Sequence, residues 1–262
     1  MKWLRQGPGP AEMPFLDHLE ELRTRLIRCV IALMVGAVVG FVVTLRFDLL
    51  GWLIKPVQPY LPDGKLMVLG PGDGFFLTLQ IALIIGVLLA LPIIIGQIWA
   101  FVSPALHDSE RRAIVPAFYL GLVLFAGGVA LAYFAALPVT LEFFSGWQAD
   151  WLSYNIVASN YLGLVIKMLL AFGLVFELPV VVLVLTAIGV VDSDMLASKR
   201  RHAIVIDVIL ASLITPGDVI ILTIFLMIPL ILLYELGIVL AKIVERRREA
   251  RLAELEAELE AP

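Results

Sequence analysis

Residues 201–235, "RHAIVIDVILASLITPGDVIILTIFLMIPLILLYE", decide the architecture of this 262-residue chain. Asp218 divides the stretch: only residues 202–217 separate Arg201 from Asp218, and only 219–234 separate Asp218 from Glu235. Each apolar piece is about 16 residues, roughly 24 Å as a helix, against ~30 Å of hydrocarbon in a bilayer. The pattern predicts a short helical hairpin turning at "TPGD", Thr215 to Asp218, which thins the membrane or keeps its turn below the outer surface.

Outward from this hairpin, the runs between charges predict six membrane spans, at about 26–47, 75–101, 113–138, 160–188, 203–216 and 219–241. The first four are long enough to cross without help. Composition agrees: the chain is 61% hydrophobic and 16% charged with a mean hydropathy of +1.00, where soluble domains run at roughly 45–50% apolar and about 25% charged. The expected fold is therefore an all-α polytopic membrane protein, one membrane domain over 1–245 followed by a charged tail over 246–262. That tail carries Leu252, Leu255 and Leu259 at helical spacing among glutamates, which predicts a solvated helix.

Orientation follows from Lys and Arg. If the N-terminus is cytoplasmic, fifteen of the nineteen lie in cytoplasmic segments, Arg46, Lys55 and Lys65 lie outside, and Lys167 lies within the fourth span. This bias predicts both termini in the cytoplasm. The opening "MKWLRQGPGPAEMPF" has no small-residue cleavage site after the following apolar run, so the spans themselves are expected to direct insertion. The outer segment 48–74, rich in Pro and Gly, predicts irregular structure or short helix; a second outer loop is expected near 139–159, with Trp147, Trp151 and Tyr154 suited to an interface belt. Cys29 is the one cysteine, so neither a disulfide framework nor a metal cluster is expected, and no cofactor is.

Charges inside a membrane cost about 2.5–3.5 kcal/mol each on insertion scales, so each needs a reason. Lys167 lies about seven residues from the outer end of its span and can snorkel. Asp207 and Glu235 each lie about six residues from the cytoplasmic end of theirs, within reach of local pairing with Lys199 to His202 and Lys242. Glu177, in "AFGLVFELPVV", is the one deep acid. It reads either as a protonated glutamate bonded to a neighbouring helix or to backbone freed by Pro179, or as a polar site within a concave bundle. An ion-coupled secondary transporter using Glu177 is the alternative function, disfavoured by the lack of internal repeats.

No zinc-protease, phosphate-loop or nucleophile-elbow string occurs, so an enzyme is not expected. "GPGD" at 70–73 resembles the string of intramembrane aspartyl proteases, but it precedes the second span and no second aspartate completes a dyad. On the cytoplasmic side, "DHLEELRTRLIR", 17–28, places Leu16, Leu19, Leu22 and Leu26 on one helical face and pairs Glu21 with Arg25 at i,i+4, worth about 0.2–0.5 kcal/mol. "WAFVSPALHDSERRAIVP", from Trp99, offers a second acid, Glu110, nine residues after the aromatic Phe101.

"FLDHLEELRTRL", "IKPVQPYLP", "GQIWAFVSPALHDSERR", "YFAALP", "AFGLVFELPV", "ITPGDV" and "YELGI", in this order and spacing, resemble the TatC family, the six-span core subunit of the twin-arginine protein translocase. The resemblance implies a membrane receptor that binds twin-arginine signal peptides of folded precursors and supports transport driven by the proton-motive force. It implies that Glu21 and Glu110 bind the arginine pair, with Phe101 packing near the same surface. Carboxylates suit guanidinium because two oxygens accept a planar fork that lysine matches less well. Pro56, Thr215, Asp218 and Glu235 match structural or partner-related positions, and Glu177 matches the family's deep glutamate. The implied partners are TatA- and TatB-like single-span subunits, docking on the short fifth and sixth spans in a hetero-oligomer, with membrane lipid around it and no nucleic acid. Some members carry a glutamine four residues after the hairpin aspartate; here that residue is Leu222.

Overall fold

The computed structural model describes residues 15–61, 64–102, 108–147, 155–214 and 220–260. Helix α1 runs from Phe15 to Arg46, and α2 (Leu49–Ile54) and a 3-10 turn (Gln58–Tyr60) follow it. Helix α3 spans Asp73–Val102, α4 spans Asp108–Leu131, and a π-turn (Ala132–Ala136) carries α4 directly into α5 (Leu137–Gly146). Then come α6 (Ala158–Phe176), α7 (Leu178–Ala187), α8 (Ser193–Ser198), α9 (Arg200–Ile214) and α10 (Ile220–Glu260). Among the described residues the only strand-like pairing is one isolated parallel bridge, Met67 with Val157.

Among the described residues, five helical segments are long and apolar enough to cross a membrane: Leu19–Arg46, Asp73–Ile98, Pro116–Gly146, Ala158–Ala187 and Thr223–Ala250. Their large apolar side chains face outward, as Met34, Val38, Leu45, Val123 and Leu232 do. A surface this apolar is stable against lipid and not against water. The predicted fifth span is α9, whose 15 residues reach roughly 22 Å. The hairpin turn itself, with Thr215 and Asp218, lies outside the described residues.

Two spans depart from the expected plain helices, and proline causes both departures. Pro138 has no N–H for the carbonyl four residues back, and the helix absorbs the missing bond in the π-turn and continues to Gly146, eight residues past the expected end. Pro179 removes another bond, so the fourth span breaks into α6 and α7 at Glu177, whose N–H bonds back to Leu174 O at 3.1 Å. The expected loop near 139–159 is correspondingly shorter.

Helices α1 and α3 run antiparallel at closest approach. A Cβ on Gly36 would sit 2.5 Å from the Gly86 carbonyl oxygen, and one on Gly40 would sit 2.3 Å from that of Ala82. Only small residues permit this, and with no water to expel, close backbone packing is what holds membrane helices together. The main core forms where α6 passes between α4 and the outer segment: Val57, Leu137, Leu162, Val165 and Met168 are fully buried. The outer segment is stitched down by three contacts. Tyr133 Oη donates to Trp52 O and Tyr161 Oη to Leu53 O, each at 2.6 Å, and Met67 exchanges backbone bonds with Ile156 and Ala158.

At the other end, α10 continues without a break through residue 245 and into the charged tail as far as Glu260, which is helical there as expected. Glu245 fixes this extension by accepting from the Ser193 backbone N–H at 2.6 Å and from the Ser193 hydroxyl.

Candidate functional site

The register of α1 against α3 brings two of the expected site residues to one level. Gly36 faces Gly86 and Gly40 faces Ala82. Counted fifteen residues from that contact along both helices, Phe101 falls at the axial level of Glu21 and Gln97 at that of Arg25, by helix rise alone. Phe101 is half-buried in the last turn of α3. Glu110 lies in the first turn of α4, the helix that follows α3, so its backbone returns to the same end of the bundle.

At Glu21 the expected i,i+4 pair is present and tighter than a solvated one. Arg25 Nε donates to Glu21 Oε1 at 3.0 Å and Arg25 Nη2 contacts the same oxygen. Both side chains are about four-fifths buried, at 17% and 21% exposure. Two guanidinium donors thus converge on one carboxylate oxygen, which shows that the position accepts a guanidinium with little water present. Glu20 beside it is exposed, and Leu19, Leu22 and Leu26 form the exposed apolar face predicted for this helix.

Sequence reasoning passed over Gln97. Its Oε1 is buried with no hydrogen-bond partner among the described residues, and an unsatisfied buried acceptor is uncommon enough to require a reason. The signal was available: a lone amide in "LPIIIGQIWAF" is as anomalous as Glu177 in its own span.

Glu177 ends α6 and begins α7, and its carbonyl accepts from Val180 and Val181 at 3.0 Å, which starts the new helix. Its carboxylate lies over Gly121 of α4, where a Cβ would come within 2.8 Å of Oε2. Oε1 is buried with no partner among the described residues. A Cβ at Gly121 would force this carboxylate to shift, and at Oε1 the hydrogen bond of one of its two sequence readings is absent among the described residues.

The expectation for Asp207 and Glu235 splits. Glu235 takes a two-pronged bond from Arg200, Nε to Oε1 at 2.6 Å and Nη2 to Oε2 at 3.0 Å, as local pairing predicted. Asp207 differs: it is 6% exposed, and Oδ2 has no hydrogen-bond partner among the described residues. With Ala203 and Ala211, also buried, it forms an i, i+4, i+8 stripe on the packed face of α9, turned from the exposed fork of Arg200 and Glu235. Pro56 follows α2 and is half-buried beside Val57, closing the outer turn. The aspartate of "GPGD" is structural: Asp73 Oδ2 accepts from the N–H groups of Leu69 and Gly70, at 3.0 and 2.8 Å, fixing the entry to α3.

Known proteins give this arrangement its context. Residues 17–229 match the family described as TatC, Sec-independent protein translocase protein. A TatC protein of Halothiobacillus neapolitanus is 37% identical over 93% of the chain and 66% of its own length. Those of Desulforapulum autotrophicum and Aquifex aeolicus are 38% and 35% identical, covering 87% and 98% of their own lengths. A crystal structure of the twin-arginine translocase receptor TatC, 35% identical, superposes with a TM-score of 0.73 over 87% of this chain and 99% of that one. A helical fold that superposes on a solved TatC structure, with a sequence matched across nearly its whole length, makes this chain a member of the TatC family of Sec-independent protein translocase proteins.

Proposed function

We propose that this protein is the receptor and core subunit of a twin-arginine translocase, with six spans and both termini in the cytoplasm. It binds twin-arginine signal peptides where α1, α3 and α4 meet at the cytoplasmic end, and it supports transport of folded precursors driven by the proton-motive force. The observation that carries this reading is the Glu21–Arg25 contact, in which a largely buried carboxylate already holds a guanidinium, level with the aromatic Phe101. An incoming arginine pair replaces Arg25 at Glu21 and is shared with Glu110, while Phe101 offers a ring face to a guanidinium plane.

TatA- and TatB-like single-span subunits dock on the face of α9 and α10, whose short hairpin includes Thr215 and Asp218. Glu177 serves within the bundle as a polar site beneath the receptor surface. A transporter built on Glu177 is not favoured once the chain belongs to a family named for protein translocation.

Charge reversal at Glu110 tests the site. Export of a twin-arginine precursor is expected to fall at least tenfold in Glu110→Arg while the general secretory route is unchanged, and unaltered export overturns the assignment. Photo-crosslinking from positions beside Glu21 is expected to capture a twin-arginine signal peptide in preference to its twin-lysine version. Equal capture removes the support for carboxylate-fork recognition.

A further inference from the structure

An apolar cavity of about 640 Å³ opens between α2, α3 and the α4–π-turn segment. Its mouth is formed by Leu49, Trp52 and Tyr133, and its foot by Leu91 and Leu122. From Tyr133 to Leu122 the wall falls eleven residues, ~16 Å of helix, close to the ~15 Å that half of a ~30 Å hydrocarbon layer provides. That length accommodates most of one extended acyl chain, entered from the side where α2 lies.

Its chemistry narrows the occupant. The Trp52 carbonyl at the mouth already accepts from Tyr133 Oη at 2.6 Å, and the walls below are hydrocarbon or aromatic. Ordered water needs two to four polar partners and finds none at the foot, and an empty space of this size loses dispersion contacts on every side. An alkyl chain restores those contacts without asking for a hydrogen bond. At the rim stands a cation: Lys55 Nζ is 5.7 Å from the Trp52 ring centroid, and that ring stacks on Tyr133 at 5.0 Å. Lys55 is exposed and has no carboxylate partner among the described residues. Asp48, at the other end of α2, is directed to the Gly51 N–H.

We propose that this cavity holds one acyl chain of an anionic phospholipid whose phosphate sits on Lys55. The lipid completes the thin wall between α2 and α4, with its headgroup at the aromatic rim and its chain reaching the level of Leu91. A peptide helix is the competing occupant, but among the described residues the charged side chain at the rim is a cation, which matches a monoanionic headgroup.

The test is native mass spectrometry of the full chain, extracted in mild detergent from membranes containing phosphatidylglycerol and phosphatidylethanolamine. One retained phospholipid per chain is expected, with phosphatidylglycerol enriched at least fivefold over the extract. Lys55→Gln is expected to bring that ratio back to the extract's without changing the number retained. Ala130→Phe, which sends a ring into the cavity from an exposed wall position, is expected to abolish retention. If Ala130→Phe does not yield folded protein, Leu122→Trp is read in its place. No retained lipid in the parent protein, or retention unaltered by the cavity-filling variant, overturns the proposal. So does a photoreactive residue at position 122 that captures signal peptide and no phospholipid from membranes holding both.

Discussion

Glu21 and Glu235 are both acids in apolar helices, and both face arginine, yet the geometry differs. Glu235 gives each of its oxygens to one prong of Arg200. Glu21 offers a single oxygen to two donors of Arg25, so the pair is not a matched fork. If Arg25 competes with an incoming arginine, Arg25→Gln should raise affinity for a twin-arginine peptide about 2–3-fold, the equivalent of ~0.5 kcal/mol for a helical i,i+4 pair. Peptide titration by fluorescence anisotropy measures this, and a fall in affinity would show that Arg25 orients the carboxylate for its ligand. Tyr161→Phe isolates a second residue-scale effect by removing the donor to Leu53 O. A loss of about 1 kcal/mol in unfolding free energy is expected, with a shift in Trp52 emission as α2 loosens. Legibility at this scale follows sequence distance. The Glu21–Arg25 pair could be read from helical spacing alone, whereas the Arg200–Glu235 fork joins residues 35 apart and needed the α9–α10 hairpin to form. Asp207 was misread because depth along a helix does not reveal which face is packed.

At the scale of elements, the sequence showed where helices lie and concealed how they meet. "GAVVG", Gly36 to Gly40, and Ala82 four residues before Gly86 are pairs of small residues at the spacing that lets membrane helices touch. That signal was present and unused, because hydropathy counts glycine and alanine only as mildly apolar. Gly86→Leu must push the α1 backbone away, since its Cβ alone would lie 2.6 Å from Ala37. A destabilisation of roughly 1–3 kcal/mol or more is expected, seen as early loss of helical signal on heating in detergent, while Gly127→Ala, where a Cβ meets nothing within 4 Å, should be neutral. The breaks at Pro138 and Pro179 were likewise written in the sequence, but only the structure shows that one is absorbed by a π-turn and the other by a full interruption. Gly121→Leu extends the same logic to function: its side chain evicts the Glu177 carboxylate from its slot. Export is expected to fall as far as in Glu177→Ala, with folded protein still recovered, if that slot is where the acid acts.

The whole molecule is sewn at one end and clamped at the other. The turns around α2 are tied to the π-turn and α6 by two tyrosine hydroxyls and a backbone bridge, while the far end depends on Glu245 gripping the start of α8. The all-helical fold and the places of the long apolar helices were legible because hydrocarbon thickness dictates run length, but the cavity was not, since it arises from how the helices pack against one another. Glu245→Gln keeps the shape of the clasp and removes its charge. Amide exchange at residues 190–196 is expected to quicken at least tenfold, with no change in α3. Beyond that clasp, α10 runs on from Arg246 to Glu260, an unbroken rod of ~22 Å. A rod hinged at its base magnifies rotation: a change of ~10° at Glu245 sweeps the tip through ~4 Å on this rise per residue. A spin label near residue 257 would therefore act as a pointer, converting a tilt too small to resolve inside the membrane into a distance that can be read outside it.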